Sequence, residues 1–369
     1  MELTAMFERV AELLLGASYL LVGAGAGMSV DSQLPTYASA SEGLVFFERN
    51  PHLTYRDLAA PDLLVTNPQR YYAWCAATID QYRHTEPHLG YAILLSWCRE
   101  LFSDTEASRA LRHRMGGQQQ QQPSPATSLQ QGFFILTTNV DGFFERSGFP
   151  AESLCETHGS YWRWQCGGLR RSPDLSCSDL PPFVRFEKPC TTRVWRWTDE
   201  HRIEYSLDDM EAPAHRTHRA PGSNVCSFVY NHPNCPGCGL PARPNVYQFG
   251  DCCYLPDEAQ EGNLANWCHS VERELASSSE TAAVSPSAPK LVMLEFGVGL
   301  RVPKIRVHFE RISQRHPHAA VLIRINPEAS SVLVENVGQL IEVPCGAKQF
   351  LEGVNACLVE LRARQQQQQ

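Results

Sequence analysis

The residues best suited to chemistry fall in a few short blocks. Gly23-Ala-Gly-Ala-Gly27 directly follows the apolar run Tyr19 to Val22. Glycines there let backbone N–H groups approach phosphate oxygens, and the start of a following helix favours negative charge, so the block suits a dinucleotide pyrophosphate. A glycine turn in an unrelated α/β protein has the same look, so this block alone does not decide. Phe133 to Leu136 is a buried-strand run that ends in Thr137-Thr-Asn-Val-Asp141. That order delivers polar groups to the carboxyl edge of a parallel sheet, the edge that binds ligands. Cys235 and Cys238, three residues apart on a turn, can both reach one tetrahedral ion and make half of a zinc site.

These blocks need a scaffold, and the rest of the chain supplies its elements. Apolar residues from Glu2 to Gly16 recur at helical spacing and lead into the first strand and glycine turn. Pro68 to Phe102, with Tyr71, Tyr72, Trp74, Leu94, Leu95 and Trp97, reads as helices covering a sheet. Leu291 to Phe296 and Ala320 to Ile325 are further apolar strands, and a last helix is expected near Ala347 to Arg362. Strands alternating with helices predict an α/β protein: a Rossmann-like parallel sheet with helices on both faces. Between Cys166 and Cys238 the chain is rich in Pro, Cys, Arg and Ser without a sustained period, as in a small module held by metal rather than by a core. The expected organisation is a Rossmann-like domain over 1–160, a zinc-binding module over 161–250, and the second part of the Rossmann-like domain over 251–364. The glutamine-containing stretch 104–131 is an insertion, 276–289 a Ser/Pro/Ala linker, and 365–369 a glutamine tail of the same solvated kind.

Bulk properties narrow the function classes. Across 369 residues a 43% hydrophobic content is that of a globular chain with a real core. A net charge of −8 provides no basic surface for phosphate backbones, which argues against direct nucleic-acid binding and favours a basic, histone-like partner. No stretch approaches the roughly 18 apolar residues that a membrane span needs. The acidic start, with Glu2, Glu8 and Glu12, does not read as a signal peptide. The 14 cysteines are therefore expected in a reducing compartment, cytoplasmic or nuclear, and not as disulfides. Cys75, Cys98, Cys268 and Cys357 lie in apolar helical segments, where a thiol behaves as a small hydrophobe.

Gly25-Ala-Gly-Met-Ser-Val-Asp-Ser-Gln-Leu-Pro35 resembles the sirtuin signature G-A-G-I-S-x-x-S-G-I-P over nearly its whole length. Further blocks follow in the sirtuin order: Thr137-Thr-Asn-Val-Asp141, Glu156-Thr-His-Gly159, Cys235-Pro-Gly-Cys-Gly239 with Arg243-Pro-Asn-Val-Tyr-Gln-Phe-Gly-Asp251, and Ile325-Asn326. The resemblance extends along the chain apart from the insertions, and is nearest the divergent branch of bacteria and unicellular eukaryotes. In that branch Leu294-Glu-Phe-Gly-Val-Gly299, followed by Val302-Pro303, replaces the common G-T-S block.

The resemblance implies an NAD-dependent protein deacylase that binds NAD and a structural Zn2+ and acts on acylated lysine in a protein substrate. It puts Gly25, Ala26, Gly27 and Ser29 around the pyrophosphate, and Asn139 and Asp141 at the nicotinamide and its ribose. Gly297 and Gly299 fall on the phosphate-ribose side and Asn326 on the adenosine ribose, with Tyr37, Thr138 and Cys345 also lining the cofactor. His158 is the implied general base. An imidazole, titrating near ~6.5, is the side chain suited to taking a ribose hydroxyl proton at neutral pH. The acyl oxygen would attack the ribose carbon as nicotinamide leaves, giving O-acyl-ADP-ribose and free lysine. Val246, Tyr247, Phe249 and Gly250 belong to the segment that pairs with substrate as an added strand, with Tyr247 and Phe249 flanking the lysine. Where most sirtuins have a second C-x-x-C, this chain has Cys166-Gly-Gly-Leu169, so Cys166 and Cys177 are assigned beside Cys235 and Cys238, with Cys190 and Cys226 as competitors.

Two departures bear on turnover. The family's D-F-R is here Thr36-Tyr-Ala38, and the usual glutamine is Thr138. Loss of the Asp and Arg predicts slow deacylation, and leaves an ADP-ribosyltransferase or a non-catalytic NAD-binding interaction module as alternatives. An ordinary dehydrogenase is disfavoured, because the chain lacks the acidic residue expected at the end of a second strand about 20 positions beyond the glycines.

Overall fold

The strand-like runs read from the sequence assemble into one six-stranded sheet, every strand parallel to its neighbours. The computed structural model describes residues 2–36, 39, 45–103, 105, 131–171, 183–184, 188–196, 198, 202–213, 231–279, 290–328 and 331–367. The sheet strands are β1 (Tyr19–Ala24), β2 (Phe133–Thr137), β3 (Leu154–Glu156), β9 (Leu291–Phe296), β10 (Ala320–Ile325) and β11 (Gln339–Val343), in the order β11-β10-β9-β1-β2-β3. Between them in the chain come β4 (Gly159–Cys166), β5 (Arg170–Arg171), β6 (Phe183–Val184), β7 (Trp195–Arg196) and β8 (Ala242–Val246).

β1, β2, β9 and β10 are buried along their whole length, which is why they read as near-continuous apolar runs rather than alternating ones, with Thr137, Glu295 and Arg324 as the polar exceptions. The helices are α1 (Leu3–Gly16), α2 (Val45–Arg49), α3 (Tyr55–Leu58), α4 (Leu63–Thr66), α5 (Pro68–His84), α6 (Leu89–Phe102), α7 (Phe143–Arg146), α8 (Glu258–Ser279), α9 (Lys304–Arg315) and α10 (Ala347–Gln367). Successive strand side chains point to opposite faces. Leu20, Val22 and Ala24 of β1 accordingly join α1, α6 and α10 in one core, and Tyr19 and Leu21 join α8 and α9 in another. This is the expected sheet with helices on both faces.

A third core belongs to a smaller lobe. There α5, with α2, α3 and α4, packs on a three-stranded antiparallel sheet of order β7-β4-β8. Of the two helices expected from Pro68 to Phe102, therefore, only α6 covers the large sheet. The fully buried Tyr71, Tyr72 and Cys75 of α5 turn toward Tyr161 and Trp164 of β4. The last helix overruns its expected end and takes in part of the glutamine tail, because glutamine is a good helix former and nothing at Arg364 stops the helix. Likewise α8 runs to Ser279, past the expected start of the linker. The 104–131 insertion lies almost wholly outside the described residues. Among the described residues no helix is long and apolar enough to cross a membrane.

Candidate active site

The strand order reverses direction between β1 and β9, and in open parallel sheets the crevice at such a switch point takes the ligand. Both strands end there in glycine turns. After β1 the chain enters a 3-10 turn at Ala26–Met28, and after β9 it turns at Gly297 with φ +54°. The turns lock against each other: Gly25 N–H donates to the Phe296 carbonyl (2.9 Å) and Gly27 N–H to that of Gly297 (3.1 Å). A Cβ on Gly297 would lie 2.2 Å from the Gly27 Cα, and one on Gly27 2.5 Å from the Gly297 Cα. Backbone, not side chain, therefore lines the floor of the crevice, as the approach of a phosphate requires. At Gly299, by contrast, a Cβ would meet no protein atom within 4 Å.

Beside this floor lies a buried polar cluster. Ser29 Oγ–H donates to Asp141 Oδ2 (2.8 Å) and lies 3.0 Å from the Tyr91 hydroxyl, while Asn139 Nδ2 donates to the Gly25 carbonyl (3.0 Å) and to Ser29 Oγ (3.2 Å). Asp141 Oδ1 accepts from the Phe143 N–H (2.9 Å). Burial raises the Asp141 carboxyl above its usual range, opposed by the hydrogen bonds from Phe143 and Ser29. Ser29, Asn139 and Asp141, read separately from two distant blocks, thus form one network; Tyr91 carries no local motif and was not expected in it. Thr138 N–H donates to the Ala24 carbonyl, which ties the second block to the first.

His158 lies where β3 of the large sheet leads into β4 of the smaller one. Its ring centroid is 5.7 Å from that of Tyr247, and its carbonyl accepts the Tyr247 N–H (2.9 Å). Desolvation, and then the nearby Lys304 ammonium, push the imidazole down to about 4 against the pull of a hydrogen bond to the Thr138 backbone. The ring is therefore neutral at physiological pH and able to accept a proton. Lys304 Nζ–H also donates to Thr157 Oγ1, a contact that no sequence motif announced. Gly159, with φ +75°, would bring a Cβ to 1.9 Å from the Asn245 carbonyl oxygen, so glycine here lets the histidine turn sit against β8.

Among the described residues β8 is an edge strand, paired only with β4 in its sheet, a position that can offer an edge to an extended peptide. Val246 ends β8 as a buried residue opposite Gly159. Tyr247 and Phe249 beyond it are exposed, and the Arg56 guanidinium stands over the Phe249 ring. Gly250, at φ +71°, turns the segment back. It is held from behind by the buried Arg243–Asp251 pair at 2.7 Å.

Asn326 lies just after β10; its N–H donates to the Val343 carbonyl and its Oδ1 accepts from the Glu328 N–H (3.2 Å each). Cys345 follows β11 and is buried, and its thiol is pushed up to about 11 by burial, so it is a neutral group. Thr36 is bound to Ser39 through its N–H and hydroxyl, whereas Tyr37 and Ala38 lie outside the described residues.

The last feature is a cluster of four cysteines. The ligand atoms of Cys166, Cys190, Cys235 and Cys238 all lie within 4.8 Å of one another, with Cys166–Cys238 at 3.8 Å and Cys190–Cys235 at 3.5 Å between sulfurs. Zn–S bonds of about 2.3 Å in a tetrahedron put sulfurs about 3.8 Å apart, so the donor set fits one Zn2+. Among the described residues Cys190, left as a competitor in the sequence, stands with Cys166, Cys235 and Cys238, and four sulfurs are the number that a structural Zn2+ takes. Cys177 and Cys226 lie outside the described residues.

No protein-family model matches the chain. It is 26% identical over 254 residues to an NAD-dependent protein deacylase of Thermus thermophilus, an alignment covering 69% of this chain and 66% of that protein. To NAD-dependent protein deacylase 1 of Pseudomonas aeruginosa it is 24% identical over 314 residues, 85% of this chain and 92% of the relative. Among solved structures, a Sir2 homologue bound to ADP-ribose superposes with a TM-score of 0.51 at 16% identity, covering 96% of this chain and 98% of the other. A Sir2 homologue–NAD complex gives 0.50, also at 16%, covering 96% and 94%. The glycine turns at the switch point, the polar blocks in the order of the sirtuin signature and the four-thiol cluster on the smaller lobe accompany this likeness to the NAD-dependent protein deacylases.

Proposed function

We propose that this protein is an NAD-dependent protein-lysine deacylase, which releases nicotinamide and O-acyl-ADP-ribose and carries one structural Zn2+. One observation carries the reading: a histidine held neutral stands between a glycine-lined crevice at the sheet's switch point and a strand edge. A base positioned between a cofactor bed and a peptide-binding edge suits transfer from one to the other.

NAD supplies an electrophilic ribose carbon with nicotinamide as its leaving group. The chain's own residues do the rest. Backbone around Gly25, Gly27 and Gly297 receives the phosphates, with Ala26 and Gly299 beside them and Asn326 toward the adenosine ribose. Ser29, Asn139 and Asp141 orient the nicotinamide ribose, and their mutual hydrogen bonds leave them little freedom to rotate. Thr138 and Cys345 complete the lining, and the family resemblance assigns its cover to Tyr37, which lies outside the described residues. His158 takes the proton from a ribose hydroxyl, for which a ring unprotonated down to about pH 4 is prepared at neutral pH. Val246 through Gly250 pair with the substrate backbone, and the exposed Tyr247 and Phe249 flank the acyl-lysine. Main-chain pairing of this kind reads little sequence, so protein substrates are chosen loosely, with basic, histone-like partners favoured by the net charge of −8. Zinc bound by the four thiols would hold the smaller lobe together. The described thiols are free, which supports a cytoplasmic or nuclear setting.

The test is incubation with NAD and a panel of acyl-lysine peptides, with mass analysis of both peptide and nucleotide products. Deacylated peptide with stoichiometric O-acyl-ADP-ribose is expected. A peptide that gains ADP-ribose, or no product at all, would overturn the assignment.

A further inference from the structure

The block Leu294-Glu-Phe-Gly-Val-Gly299 places a carboxylate, Glu295, inside a strand that is otherwise apolar, and the side chain has 0% exposure. Its neighbours explain how the charge is tolerated. Arg324, the register partner of Glu295 on β10, donates Nε–H to Glu295 Oε1 (2.7 Å) and Nη2–H to Glu310 Oε1 (2.6 Å). Arg306 of α9 donates Nη2–H to the same Glu295 oxygen (3.1 Å). All four groups are buried, two of each sign, so the buried charges balance, while Arg324 Nη1 also faces the half-exposed Glu342 at 3.9 Å.

The tetrad reaches beyond itself. Arg306 donates Nη2–H to the Val298 carbonyl (2.5 Å) and Nη1–H to the Ser331 carbonyl (3.1 Å). Glu310 Oε2 accepts the N–H groups of Leu333 (2.8 Å) and Val334 (2.9 Å). Two loops, one leaving β9 and one following β10, are thus stapled to the same buried charges. The first loop contains Gly297, whose backbone sets the position of Gly27; the second follows Asn326.

A tetrad used for packing alone is a poor device, since buried ion pairs are often replaceable by apolar residues at no loss of stability. This one also keeps Glu295 Oε2 and Arg306 Nε buried without hydrogen-bond partners. Its carbonyl and amide bonds all go to loop backbone, which apolar side chains cannot hold.

We infer that Glu295, Arg306, Glu310 and Arg324 are positioning residues, which hold the Gly297–Gly299 turn and the 331–334 loop in the one arrangement that receives the phosphate-ribose end of NAD. The inference rests on the proposed function for the identity of the ligand and on the structure alone for the staple. Because Arg306 serves three acceptors from two separate nitrogens, a lysine, whose donors all sit on one atom at the end of a flexible stem, cannot replace its fork.

Three proteins decide the matter: the unaltered full chain, Arg306→Lys, which keeps the charge balance, and the double variant Glu295→Leu/Arg306→Met, which fills the space and leaves the neutral Arg324–Glu310 pair. Hydrogen exchange without ligand reads the loops, calorimetry reads NAD affinity, and thermal melting reads the fold. Faster exchange confined to residues 298–300 and 331–334 is expected, with a melting temperature near that of the unaltered protein. The Kd for NAD should rise roughly tenfold, the effect of losing one charged hydrogen bond. KM for NAD should rise in step while kcat at saturating NAD is retained. Unchanged exchange and affinity in both variants would overturn the inference, as would a loss of affinity matched by general unfolding. If the loops loosen but the unaltered protein binds no NAD, the staple stands and the proposed cofactor falls.

Discussion

The meeting of the two glycine turns makes Gly297→Ala the most exposing perturbation of the cofactor bed. Alanine at φ +54° enters the left-handed region at a cost of ~1–2 kcal/mol. Its Cβ would then stand 2.2 Å from the Gly27 Cα and 2.5 Å from the Gly27 carbonyl carbon, backbone atoms with no rotamer to yield. Overpacking of this kind costs ~1–3 kcal/mol, so the two effects together reach ~2–5 kcal/mol. The strain has two outlets. If the turns part to relieve it, NAD loses affinity about 30-fold at the lower figure, each ~1.4 kcal/mol being a factor of ten. If they hold, the melting temperature falls by ~4 °C or more.

Calorimetric titration with NAD and a thermal melt of the same sample measure both. Gly299→Ala is the internal control: its Cβ meets no protein atom, so the melting temperature should stay within a degree or two, and any loss of NAD affinity there reports on the ligand's own approach. Gly297→Ala with unchanged melting and unchanged affinity would refute the argument that backbone contact between the turns shapes the bed.

Replacing His158 with Ala should lower the deacylation rate by ~100-fold or more while the Kd for NAD stays within several-fold, because the imidazole acts on a proton and the glycine turns hold the phosphates; steady-state rates beside calorimetry separate the two. With the His158 pKa held at about 4, below the ~6.5 of an unfolded chain, the ring stays a competent base well into acid. Lys304→Met, which removes a cation that lowers this pKa, should shift the acid limb of kcat/KM upward, and a limb that stays in place would remove Lys304 from the electrostatics. The same depressed pKa favours the unfolded state in acid: its stabilising share is full above pH ~6.5 and is lost as pH falls through about 4, visible in melts of His158→Ala against the unaltered chain. Metal analysis should find about one zinc per chain, lost in Cys190→Ser and kept in Cys177→Ser; the opposite pattern would restore Cys177 as the ligand.

The sequence by itself is enough for the class of fold and for the glycine and polar blocks that meet at the switch point. Strands buried on both faces are mostly apolar, so β1, β2, β9 and β10 stand out as runs, and glycines needed for backbone-to-backbone approach cannot be replaced by look-alikes. His158, Asn139 and Asp141 were legible for the same local reason: each sits in a short block whose spacing is set by one turn of chain. Tertiary structure alone decided what depends on meeting across distance. Cys190 joins Cys166, Cys235 and Cys238 although 24 residues separate it from Cys166, and no local spacing rule links so distant a pair. Helix α5 joins the smaller lobe although its apolar pattern would suit either sheet, since periodicity names a buried face without naming what buries it. The charges of Glu295, Arg306, Glu310 and Arg324 read singly as intrusions into apolar elements; only the register of β9 on β10, and the packing of α9 across them, brings opposite signs together and makes their burial bearable.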